Sequence, residues 1–121
     1  MSYAIPTVEP TRPDAQEEVI RADEEITELL TVLDDPDCRG VLEVTGEKPL
    51  AAKEIVERCE IPASTAYRKI DRLVEVGLLR KGLRIRSSGK HASEYRRAVD
   101  NVGLSIDDDG TELVMVRSET P

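Results

Sequence analysis

Residues 49–79 read P-L-A-A-K-E-I-V-E-R-C-E-I-P-A-S-T-A-Y-R-K-I-D-R-L-V-E-V-G-L-L, and the fold turns on this stretch. Ala52, Ile55 and Val56 share one helical face, which predicts a short helix from about Ala51 to Arg58. Cys59-Glu60-Ile61 has room only for a turn, and Pro62 opens a second helix from Ala63 to about Val76. Ala66, Ile70, Leu73 and Val74 form its inner face, and Gly77 ends it. Past Gly77 the period changes from helical to alternating. Leu79, Leu83 and Ile85 are separated by Arg80, Lys81, Arg84 and Arg86 on the way to Ser87-Ser88-Gly89-Lys90, and a return strand from Ala92 to Val99 closes a hairpin.

Working upstream, Asp35-Pro36 starts a helix with Asp as N-cap and Pro where a missing N–H costs nothing. Cys38, Val41, Leu42 and Thr45 make its inner face, and Gly46 is its stop. Before it, Val19, Ala22, Ile26, Leu29, Leu30 and Leu33 recur at helical spacing after a capping-box-like Asp14-Ala15-Gln16-Glu17. These predict an additional helix over 14–33. Residues 1–13 hold three prolines and no apolar period, the pattern of a flexible tail. Downstream, Val102, Leu104 and Ile106, a turn at Asp107-Asp108-Asp109-Gly110, and Leu113, Val114 and Val116 predict C-terminal strands over 102–117. The expected class is α+β: about four helices followed by an antiparallel β wing and meander, in one domain over 14–121.

The chain has 121 residues, single-domain length, with no Phe and no Trp, so its core must be built from Leu, Ile, Val and Ala. No apolar run approaches the length of a membrane span, and a soluble cytoplasmic protein without membrane contact is expected. Net charge is −8, but it is unevenly spread. Residues 63–98 hold ten Lys/Arg against three acids, while the rest holds seven against twenty-two. A uniform acidic coat would leave no such island, so the local charge points to nucleic acid where the average does not. Twelve of the seventeen basic residues are Arg in a body rich in Asp and Glu, a composition like that of haloarchaeal proteins working in molar salt.

The quoted stretch resembles the winged helix-turn-helix regulators of the ArsR and TrmB type. The preceding L-D-D-P-D-C-R-G-V-L-E-V resembles the helix that opens the same domain, and R-I-R-S-S-G-K-H-A-S-E-Y-R-R looks like haloarchaeal members of that group. The resemblance spans roughly Leu30 to Ala98. It departs from the pattern at Pro62 and Ala51, where helix-capping side chains are commoner. It implies a sequence-specific transcriptional regulator on double-stranded DNA, with a recognition helix in the major groove and a wing on phosphate or the minor groove. The residues agree on independent grounds. With Ala66, Ile70 and Leu73 inward, Ser64, Thr65, Tyr67, Arg68 and Lys69 lie toward the outside. Arg68 suits bidentate pairing with guanine, Ser64 and Thr65 suit phosphate or bases, and Arg72 suits phosphate one turn on. The wing offers Arg84, Arg86, Ser87, Ser88, Lys90 and His91 around a small tip. At about 1 M salt the Debye length falls to roughly 3 Å, so direct hydrogen bonds, at which Arg excels, must replace long-range steering.

Other classes of function fit these residues less well. A winged helix can serve as a protein-docking module in a transcription or replication complex, or as a non-specific architectural DNA binder. A docking module would more often carry an apolar or acidic recognition face than a basic one. A metal sensor would need convergent ligands, whereas Cys38, Cys59 and His91 fall in three elements without a ligand spacing. No cofactor, metal or catalytic residue is expected: there is one His, no phosphate loop and no nucleophile–base pair. The expected partner besides DNA is a second copy, docked through the helix over 14–33 and the final strand near Leu113 to Val116, with a transcription-machinery protein as a further partner.

Overall fold

The computed structural model describes residues 16–118. Ten elements follow in order: β1 (Gln16–Ile20), α1 (Asp23–Asp34), α2 (Pro36–Val44), β2 (Leu50–Ala51), α3 (Ala52–Cys59), α4 (Ala63–Glu75), β3 (Leu79–Ile85), β4 (His91–Arg97), β5 (Val99–Asp107) and β6 (Gly110–Arg117). The described residues divide into two compact units, Thr27–Ala98 and the pair 16–26 with 99–118.

In the Thr27–Ala98 unit, Asp35 caps α2 by accepting the Asp37 N–H at 2.9 Å, with Pro36 in the first turn. Cys38, Val41 and Leu42 are buried. Ala51 at the start of α3 has no side-chain acceptor, but the Glu54 carboxylate reaches back to the Ala51 N–H at 2.8 Å and secures that end. Glu60 ends α3 in the left-handed region at φ 54°, so the chain turns within Glu60-Ile61-Pro62. Ala66, Ile70 and Leu73 of α4 are fully buried. Gly77, at φ 82°, adopts a conformation other residues resist and sends the chain from α4 into β3. The small antiparallel sheet has the order β2-β4-β3, with Leu50 opposite Tyr95 and Leu79 opposite Arg97. The Ala98 N–H donates to the Leu78 carbonyl at 2.9 Å and closes the base of the hairpin.

The other unit is an antiparallel sheet in the order β1-β6-β5, with Ile20, Leu113, Met115 and Val116 buried. Arg117 pairs with Glu18 across β1 and β6, and Arg21 Nη2 lies 3.2 Å from Glu112. No helix among the described residues is long and apolar enough to cross a membrane.

Two expectations need correction. Residues 16–20 form strand β1, not the opening of a helix over 14–33; Asp14 and the tail over 1–13 lie outside the described residues. Val19 and Ile20 pair with Val114 and Leu113, and this ladder overrides the helical spacing. The helix therefore starts at Asp23, where Asp23, Glu24 and Glu25 complement the positive end of its dipole. It buries Ile26, Leu29 and Val32, while Leu30 is exposed. Second, the later strands do not continue the wing in one meander but form a separate sheet with β1. β6, which holds Leu113 to Val116, is the central strand of that sheet, with both edges paired.

Candidate nucleic-acid interface

Pro62 precedes α4 without a side-chain cap, and no acid occupies the first turn. The first turn of α4 thus brings no carboxylate of its own to its early N–H groups, and a helix N-terminus favours a phosphate. Burial of Ala66, Ile70 and Leu73 turns Ser64, Tyr67 and Arg68 outward on the first two turns, and all three are exposed. Thr65 is half-buried at the side. The same outward face continues with Asp71 and Glu75, so its far half is acidic. On this outward face the cation, Arg68, stands in the N-terminal half of α4.

Lys69 lies elsewhere. Its ammonium stands 2.5 Å from Asp35 and 3.0 Å from Asp37 at the start of α2. These carboxylates hold it charged beyond its usual range, and Lys69 in turn pulls the Asp35 carboxyl below the usual carboxylate range. Arg72 is half-buried, 3.4 Å from both Glu28 and Glu75. Lys69 and Arg72 thus join the flank of α4 to neighbouring acids.

The hairpin tip brings five expected residues together. Arg86, Ser87, Ser88, Lys90 and His91 are all exposed, and the Gly89 N–H donates to the Arg86 carbonyl at 3.0 Å to close the turn at φ 82°. Arg84, four residues before the turn's centre, is not among them. Its Nη1 lies 2.8 Å from Glu54, its Nε 3.1 Å from Glu94, and its Nη2 3.4 Å from the Pro49 carbonyl. The Ala51 N–H and, after it, Arg84 hold the Glu54 carboxyl below its usual range. Leu83 and Ile85, expected to alternate inward like Leu79, are exposed because β3 runs out past the core. Sequence reasoning gave no role to Glu54, Glu94, Asp35 or Asp37 in holding these cations, because each lies far from its partner in the chain.

Cys38 is buried, and desolvation with the nearby Asp35 charge pushes its thiol up to about 11. Burial also raises the Cys59 thiol. Both stay protonated at neutral pH, the poor form for binding a metal. Among the described residues no three His, Cys, Asp or Glu side chains converge on one point.

A family model described as a helix-turn-helix domain matches residues 33–82, from the end of α1 into β3. No curated protein sequence matches the chain. Among solved structures, the chain is similar to the homodimeric winged helix-turn-helix DNA-binding domain of a possible ArsR-family transcriptional regulator from Mycobacterium bovis. That match has a TM-score of 0.53 at 17% identity, covering 64% of this chain and 73% of the other. It is also similar to a possible transcriptional regulator from Methanosarcina mazei, with a TM-score of 0.51 at 13% identity over 69% of this chain and 77% of that one. The fold is therefore that of a winged helix-turn-helix, α+β in class.

Proposed function

We infer that this protein is a transcriptional regulator that binds double-stranded DNA sequence-specifically, as a homodimer in the cytoplasm of a salt-adapted cell. One observation carries the reading: on a winged helix-turn-helix, Arg68 with Ser64 and Tyr67, and the tip cations Arg86 and Lys90, are exposed in an otherwise acidic protein. Arg68 forks onto a guanine edge in the major groove, with Ser64 and Thr65 on bases or phosphate. Arg86, Lys90 and His91 hold backbone phosphates or the flanking minor groove, with Ser87 and Ser88 small enough to let the tip approach. Lys69, Arg72 and Arg84 set the geometry in this reading and leave contact to their neighbours. The homodimer would present two recognition helices to two half-sites, and a dimer is what the Mycobacterium bovis domain forms.

The test is selection of bound genomic fragments at about 2 M KCl, a salt at which screening removes most non-specific attraction. Enrichment of a short palindrome supports the reading. Retention without a motif favours an architectural binder, and no retention at any salt favours a protein-docking module.

A further inference from the structure

Ile85 is 77% exposed, the most exposed large apolar side chain among the described residues, and Leu83 before it is 62% exposed. Leu79 and Tyr95 are buried on one face of the wing sheet. Alternation along β3 puts Leu83 and Ile85 on that same face, further out, where the core has stopped. His91 stands directly across from Ile85 and shares the face. The charge around the pair has one sign. Lys81, Arg86 and Lys90 are exposed, and the one acid among residues 79–97, Glu94, is held by Arg84 at 3.1 Å. An apolar pair with cations before and after it, and no exposed acid, suits a polyanion with an apolar interior. Stacked base pairs between two phosphate strands have that make-up.

We propose that Ile85 is an apolar wedge for the minor groove, entering a base-pair step beside the recognition site while Leu83, about 7 Å behind it, covers the sugars. The proposal rests on the DNA reading above and adds to it a bend in the duplex. In that reading Arg86 and His91 reach backbone phosphates or the flanking minor groove. Ile85 is the neighbour of Arg86 along the chain and of His91 across the ladder, so a hairpin that brings those two to the groove brings Ile85 with them. Continuity with the tip therefore favours DNA over a second copy as the occupant. An aliphatic side chain in the minor groove parts the stack at one base step and kinks the duplex toward the major groove. The kink costs least at pyrimidine–purine steps, TA or CA/TG, so Ile85 selects such a step without a hydrogen bond to any base. An apolar contact releases no counterions, so it keeps its strength at high salt where a phosphate contact weakens.

The probe is a duplex taken from the fragments the protein retains, labelled at both ends for energy transfer and carrying a fluorescent adenine analogue at each adenine in turn. Wild type draws the ends together through a bend of about 20–90°, and the analogue brightens at one pyrimidine–purine step. Ile85→Ala binds about tenfold more weakly, with a smaller bend and no bright step, and its log affinity falls with log salt at the wild-type slope. Ile85→Met keeps the bend and the bright step, since Met also wedges. Circular dichroism confirms that both variants fold, Ile85 lying outside the core. The wedge is overturned by a bound duplex that stays straight, by Ile85→Ala that bends and brightens it as wild type does, by a salt slope that drops in Ile85→Ala as in a lost phosphate contact, or by Ile85→Met that behaves as Ile85→Ala. Sedimentation velocity without DNA adds one more outcome. Self-association lost in Ile85→Ala, with the bend unchanged, seats a second copy on this face and overturns the wedge. A wild type that binds no duplex at any salt overturns the DNA reading itself, and the wedge with it.

Discussion

Arg84 Nη1 lies 2.8 Å from Glu54 Oε1, and this ion pair ties the wing strand β3 to the first turn of α3. Glu54 also accepts the Ala51 N–H, so one carboxylate both starts the helix and anchors the hairpin. In the proposed reading, the wing's approach to DNA is thereby coupled to the body of the helix-turn-helix. Glu54→Gln separates positioning from contact. If Arg84 orients the wing, Glu54→Gln weakens binding to the selected duplex by about threefold to tenfold, as residues outside a binding site do. If Arg84 were a phosphate contact, the same change would release it and strengthen binding. Fluorescence anisotropy on a labelled duplex tells the two apart.

At the tip, Arg86→Ala weakens binding to selected and scrambled duplexes alike and lowers the slope of log affinity against log salt by about one. Lys69→Ala leaves that slope unchanged, because its ammonium is held by Asp35 and Asp37. A salt titration of the two variants beside the wild type measures both slopes.

Asp35 caps α2 and accepts from Lys69, so Asp35→Ala costs about 1 kcal/mol of stability for the cap alone. The pH dependence has a definite sign. The Lys69 ammonium holds the Asp35 carboxyl below the usual carboxylate range in the folded protein, so its contribution is present above the unfolded value and fades as pH falls through the lower, folded one. Wild type therefore loses more stability between neutral pH and acid than Asp35→Asn does, a comparison made by urea unfolding across that range.

Leu113 is fully buried on the central strand β6, whereas Leu83 is 62% exposed on the wing. Leu113→Ala costs about 2–5 kcal/mol and Leu83→Ala is nearly neutral. Thermal unfolding of both variants checks the pair, and equal effects would contradict the placement of these strands.

The helices α2, α3 and α4 and the hairpin were legible because their signals are local. Asp35-Pro36 starts one helix, Pro62 and Gly77 bracket another, and Ala66, Ile70 and Leu73 repeat at helical spacing. Strand β1 was not legible. Gln16-Glu17-Glu18 favours a helix, and what makes it a strand is β6, to which Glu18 is joined through Arg117 at the other end of the chain. The site divides in the same way. Ser64, Tyr67, Arg68 and the tip residues follow from helical phase and turn chemistry. The diversion of Lys69 and Arg84 into ion pairs depends on Asp35, Glu54 and Glu94, which only the fold brings near. Leu83 and Ile85 alternate as a half-buried strand should, and their exposure depends on where the core stops.

Arg68 tests whether the outward face of α4 reads base sequence. Wild type and Arg68→Ala are titrated at one fixed salt concentration against the selected duplex and a scrambled copy. Wild type should prefer the selected duplex by about a thousandfold or more, and Arg68→Ala should lose about tenfold to a hundredfold of that preference while binding the scrambled copy nearly as before. Equal affinity of the wild type for both duplexes, or an Arg68→Ala protein that keeps the full preference, would contradict the account.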